Sequence, residues 1–295
     1  MKELGLRTSK GYLRPCLKDS GKMQRLERAV RWVLPTFAGG FKFQSFMNFV
    51  HLDEKWFYPC KHGQKYILLE GEDTPTRKVR HKSHIPKVVF LAVVARTRFD
   101  ASASTMFSGK LGIFPSTVKR VAQAGTMETK CVEATRARYK AKLIGEVISA
   151  IKASGPAAGR GETIWAQQRN APSHNINDDR DIFRECATGG WDMRFISQPP
   201  NSPDLNILDL NFFNAIQSLQ DRSTPRTIDK LIASVNVAIN AQTLEQLGMV
   251  WTNLKIILYI MLAQGDNTFK IPHLKATTQR RGGSVPIELP CSQEA

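Results

Sequence analysis

The stretch VVFLAVVA, residues 88–95, limits what this chain can fold into more than any other. Eight consecutive apolar residues are far too few to cross a bilayer, which takes about 20. The run suits a β-strand buried on both faces. A chain of 295 residues with 42% hydrophobic content can bury a sizeable core around such a strand, and wholesale disorder is excluded. The opening residues MKELGLRTSKGYLRP have no apolar signal core. The expectation is a soluble, intracellular protein.

The pattern on either side of that run predicts the order of elements. Residues 1–45 read as basic and helical: in KMQRLERAVRWVL (22–34), Leu26, Ala29, Val30 and Val33 share one helical face. From about residue 46 the texture changes to strands. FMNFVHLDEKWFYPC alternates, QKYILLEGE can pair back on it, and KVVFLAVVAR makes a third strand. ETKCVEATRARYKAKLIGEVISAIKAS reads as one long helix or two. A strand over Glu162 to Gln167 then leads into Arg169, followed by a short helix at about 178–187, the strand WDMRFISQ, and a turn-rich lead into a helix at PPNSPDLNILDLNFF. TIDKLIASVNVAINAQT and LEQLGMVWTNLKIILYIMLAQG predict two further helices, and the last twenty residues read as a loose tail. The fold class is α/β: a mixed sheet flanked by helices, with a short basic helical segment in front. The expected division is a linker at 1–45, a main domain at 46–275 and a tail at 276–295.

The net charge is +16, which points to a polyanionic partner, most simply DNA. Ten basic residues stand against three acidic ones in the first 49 positions. TRKVRHKSHIPK (76–87) holds five Lys or Arg and no acid, a stripe that suits a phosphate backbone. Lys55, Arg77, Lys78, Arg80 and Lys82 are therefore candidate DNA contacts. Five dispersed cysteines give neither a disulfide framework nor a zinc pattern.

Two acids stand in apolar surroundings. Asp53 lies within the first strand, on the face opposite Val50 and Leu52. Asp209 lies in a helix beside Phe212 and Phe213. Asp204, in NSPD, reads as a turn or cap residue. Two-metal phosphoryl transfer needs several carboxylates converging on two Mg²⁺ ions. A third acid belongs at a neighbouring strand end, yet in ETIWAQQRNAPSHN (162–175) the residue there is Arg169.

VHLDEKWFY, QQRNAPSHN and QPPNSPDLNILDLNFFNAIQSLQ, in this order, resemble the mariner superfamily of DNA transposases, above all its plant and oomycete branch. LRPCLKDSGKMQRL, HKSHIPKVVFLAVVARTRFD, SGKLGIFP and GDNTFKIPHLK resemble it too, so the likeness spans roughly residues 12–285. It implies a ribonuclease H-like domain that cuts and rejoins DNA in the nucleus with Mg²⁺ or Mn²⁺ held by an acidic triad, with a homodimer as a possible assembly. Asp53 matches the first acid and Asp209 the third. Arg169 occupies the position of the second, and 39 residues separate it from Asp209, the spacing of that branch. His174 would flank the site and contact DNA. The family also carries helix-turn-helix modules ahead of this domain, and the first residues here resemble the tail of the second one.

Arginine is acceptor-free and always protonated, so it cannot ligate Mg²⁺. The expectation is a metal site lost, with Arg169 bridging Asp53 and Asp209 as their counter-ion. Two rival readings remain: an active Mg²⁺-dependent endonuclease using a substitute acid (Glu162, Asp178 or Asp179), or a host-recruited DNA- or protein-binding module without catalysis.

Overall fold

The computed structural model describes residues 14–59, 69–73, 87–100, 104–121, 125–154, 161–174, 176, 178–223, 225–252, 254, 256–269 and 290–291. At its centre the run singled out above forms strand β4 (Val88–Ala95), and all eight of its residues are buried. It pairs antiparallel with β3 (Phe49–Phe57) in a continuous register from Val50↔Ala95 to Phe57↔Val88. On its other side it pairs antiparallel with β7 (Lys110–Pro115), with a bulge at Val93/Val94. Beyond β3 come β10 (Thr163–Gln168) and β11 (Asp192–Ser197), each parallel to its neighbour. The sheet order is β11-β10-β3-β4-β7, three antiparallel strands extended by two parallel ones. Parallel neighbours need a crossover. Helix α4 (Arg180–Ala187) supplies it between β10 and β11.

Strand alternation divides β4 between two cores. Phe90, Ala92 and Val94 pack with α5 (Phe213–Gln220), α6 (Ile228–Asn240), α7 (Leu244–Thr252) and α8 (Ile256–Leu262). Leu91, Val93 and Ala95 pack with Tyr139, Leu143, Ile148 and Ile151 of the helical stretch α2 (Arg136–Lys142) and α3 (Ile148–Ser154), which a wide π-type turn at Leu143–Val147 joins. A slip of one residue would exchange the two faces of the strand, so burial on both sides fixes the register.

Several elements differ from the sequence pattern. Helix α1 is Asp19–Arg31. Ala29 is buried as expected, but Val30 is 54% exposed, Val33 starts the short strand β1 (Val33–Pro35), and Arg25 fills the other buried position of the helix. A charge can occupy that position because Arg25 makes a two-pronged ion pair with Asp204, both bonds 2.6 Å, and donates from Nε to Gly265 O at 2.8 Å. Asp204 is thus a clamp between α1 and the turn before α5. Ala29, Trp32 and Phe43 join the same core as Phe49, so this part of the expected 1–45 segment packs with the sheet domain.

The helix expected from residue 128 starts at 136, capped by Thr135. Residues 127–131 instead form β9 (Met127–Cys131), which pairs in a hairpin with β8 (Thr117–Val121). Strands β5 (Arg98–Asp100) and β6 (Thr105–Phe107) form a second unexpected hairpin. The antiparallel partner of β3 is β4, and residues 64–68 of the expected QKYILLEGE strand lie outside the described residues. In the expected tail, Pro290–Cys291 (β12) pairs with Lys42 and Phe41 of β2 (Phe41–Phe43), which itself pairs with β1. No helix among the described residues is long and apolar enough to cross a membrane.

Candidate active site

The site forms where β3 and β10 run side by side. Their parallel register aligns Gln167 with His51. Carried two residues beyond that pair, one past the end of β10, it brings Arg169 abreast of Asp53. The Arg169 Nε lies 3.9 Å from Asp53 Oδ1, with Asp53 2% exposed and the Arg169 side chain 55% exposed. Asp53 Oδ1 also accepts from the Glu54 backbone N–H at 2.8 Å.

Asp209 arrives from the helical turn Leu208–Phe212, which leads into α5. Three buried polar side chains set that turn against the sheet. Gln167 donates to Leu205 O at 2.9 Å. Asn206 accepts from Leu208 N at 3.1 Å and reaches Leu52 O at 3.5 Å. His51 Nδ1 lies 3.2 Å from Ile207 N and 3.3 Å from Asn206 Oδ1. The His51 ring stands edge-on to Trp251, and burial pushes its pKa down to about 3, so it is a neutral hydrogen-bonding strut. Asp209 comes close enough for its charge to act on Asp53. Burial pushes the Asp53 carboxyl up to about 8, the Asp209 charge adds to the rise, and the Arg169 guanidinium only partly offsets it.

A second network holds the corner from the other face of the sheet. His174 stacks on Tyr139 with ring centroids 4.0 Å apart. Its Nε2 lies 3.3 Å from Glu54 Oε2 and its Nδ1 3.3 Å from Arg169 O. Tyr139 donates to Gln168 Oε1 at 3.1 Å, and Gln168 donates to His174 O at 2.6 Å. The backbone that presents Arg169 is therefore pinned on both sides.

The sequence-derived candidates fare unequally. Asp53, Asp209 and Arg169 come together. The expected bridge does not form: among the described residues Arg169 pairs with Asp53 alone. His174 flanks the corner from within, because it is 3% exposed beneath Tyr139 and so offers little surface to a DNA backbone. Lys55 Nζ lies 3.5 Å from Asn214 and 5.5 Å from the ring centroid of Phe213, which places it on the helix that follows Asp209. Arg77, Lys78, Arg80 and Lys82 lie outside the described residues. Of the substitute acids, Asp179 caps α4 and pairs with Lys140 at 2.7 Å, and Glu162 sits just before the start of β10, at the strand end away from Arg169. Glu54, Tyr139, Gln168 and His51 were missed. Only the alternation around His51 and Asp53 hinted at polar groups inside this strand.

A two-metal centre does not fit these residues. Two carboxylates remain, and a permanent cation stands 3.9 Å from one of them. At about 4 Å and an effective dielectric near 20, two unit charges interact by about 4 kcal/mol, and a dication would be repelled more strongly. Among the described residues no group of three or more His, Cys, Asp or Glu side chains is arranged to hold a metal ion.

No protein-family model matches the sequence, and no curated protein matches it. Solved structures do. A pre-cleavage Mos1 transpososome superposes with a TM-score of 0.63 at 16% identity, covering 91% of this chain and 70% of that one. The Mos1 mariner paired-end complex with Mn gives 0.61 at 17% identity, covering 91% and 70%. The catalytic domain of Mos1 mariner transposase gives 0.55 at 15% identity, covering 88% of this chain and all of that one. The chain has the ribonuclease H-like fold of a mariner transposase catalytic domain, as the sequence resemblance implied.

Proposed function

We propose that this chain is a mariner-like, transposase-derived DNA-binding protein whose metal-dependent strand cleavage is impaired. The observation that carries this reading is the guanidinium of Arg169 beside Asp53, at the strand end where the resemblance calls for the second acid. The likeness to transposase structures supports the ancestral activity, DNA cleavage and strand transfer, and the DNA partner. The basic surface supports retained attraction to phosphates. Mg²⁺ or Mn²⁺ served the ancestral site, and the side chains now present oppose both ions. Residence in the nucleus and pairing into a homodimer belong to the same reading.

Restoring the acid tests it. Titrated with Mn²⁺ and followed by calorimetry, the natural chain should show no saturable two-ion site, and Arg169→Asp should gain one. Supercoiled DNA should stay intact with the natural chain and Mg²⁺ or Mn²⁺. Nicking by the natural chain that vanishes in Asp53→Ala would instead establish the rival reading, an active nuclease with a substitute acid.

A further inference from the structure

Arg169 is built as more than a lost ligand. Its backbone is fixed by His174 and by the adjoining strand, where Gln198 N donates to Gln168 O at 2.9 Å. Its side chain is 55% exposed, and its one ion pair among the described residues, at 3.9 Å, is beyond hydrogen-bond reach. The base is rigid, and the forked head is turned to the surface.

The next residue, Asn170, lines a cleft of about 200 Å³ between α1 and the end of β11. Arg28 and Arg31 line its α1 wall with Gln24 and Glu27. Arg28 is committed to the scaffold, donating to Ser197 O at 2.9 Å. Arg31 is exposed on the last turn of α1. Arg169 adjoins this cleft in the chain through Asn170, and Arg31 stands on its α1 wall, so the two exposed arginines make a candidate phosphate track, with Glu27 as the acid in the lining.

We propose that this track holds the phosphodiester backbone of a DNA strand without any divalent ion, Arg169 taking the place of the metals as the phosphate's partner. The inference rests on the reading that the corner has lost its metals. A guanidinium offers planar, paired N–H donors that match two phosphate oxygens. It supplies charge but no bound water to activate, so the strand would be held and not cut. A DNA strand is favoured over free phosphate because the two exposed arginines stand on separate elements, Arg31 on the cleft wall and Arg169 next in the chain to the cleft residue Asn170, so that successive phosphates can engage both.

The test is fluorescence anisotropy of labelled single-stranded and duplex DNA oligonucleotides with the full chain in excess EDTA. The natural chain should bind, and Arg169→Ala should weaken binding about tenfold, the loss of one charge-assisted phosphate contact. Arg169→Lys, which keeps charge but not the fork, should fall between them. Arg194→Ala, near the start of β11 and away from the cleft, should leave affinity unchanged. Because Arg169 is half exposed, its variants should melt with the natural chain, which circular dichroism checks. Binding that requires Mg²⁺, or that is equal for Arg169→Ala and the natural chain in EDTA, overturns the inference. Displacement of the DNA by inorganic phosphate at matched ionic strength overturns the assignment to a strand. A two-ion Mn²⁺ site in the natural chain would instead sink the reading on which the inference rests, so the two failures are distinct.

Discussion

The carboxyl of Asp53 is 2% exposed, lies against a second aspartate and has one cation 3.9 Å away. Its folded pKa of about 8 lies above the ordinary 3.8. The folded chain therefore holds a proton that the unfolded chain releases as pH climbs from about 4 to 8, so stability falls with rising pH across that window. Asp53→Asn removes the ionisation and keeps a side chain of the same shape, with an amide donor in place of the acid's proton. Thermal melts should show little change at pH 5 and a gain at pH 9 on the order of a few kcal/mol, or several degrees in Tm. Equal effects at both pH values would mean that Asp53 is ionised throughout. At this scale the sequence was partly legible. Asp53 and Asp209 stood out because an acid inside a strand, or on a helix beside Phe212 and Phe213, needs a reason. The struts did not, because their partners are distant in the chain: Tyr139 and Gln168 are 29 residues apart, and His174 and Glu54 are 120 apart.

Among elements, legibility followed the environment. Strand β4 was readable because burial on both faces leaves an unbroken apolar run, and β3 because its neighbours alternate. The β8–β9 hairpin was hidden because METKC contains good helix formers, and only cross-strand pairing such as Thr117↔Cys131 makes it a strand. Helix α1 deceived in a different way. Its apolar stripe predicted Val30 inside, whereas the buried place goes to Arg25, whose partner Asp204 is 179 residues away. That pair ties α1 to the turn that leads towards Asp209. Asp204→Ala would leave the Arg25 charge buried without its carboxylate and should destabilise the fold by about 3–5 kcal/mol, on the order of 10 °C in Tm. Replacing both partners with apolar residues of similar volume should recover most of that loss. If the single variant melts with the natural chain, the pair does not hold α1 in place.

Over the whole molecule, the excess of 16 positive charges should govern affinity for DNA whatever the state of the metal corner. Binding that releases counterions weakens linearly in log–log form as salt rises, with a slope of about −0.9 per phosphate neutralised. A footprint of about six phosphates gives a slope near −5, a loss of about a thousandfold between 50 and 200 mM salt. Arg31 adds a local term to this global one, because it sits exposed on the wall of the cleft that Asn170 also lines and makes no ion pair among the described residues. Arg31→Ala should therefore reduce the magnitude of the slope by about one and weaken binding evenly across DNA sequences, as expected of a phosphate contact and not a base contact. Anisotropy titrations at four or five salt concentrations, on two unrelated duplexes, would measure both effects. A slope unchanged in Arg31→Ala would remove α1 from the DNA-facing surface. A near-flat slope in the natural chain would show that its positive charge is spread too thinly to follow a phosphate backbone, and the DNA-binding reading would fall with it.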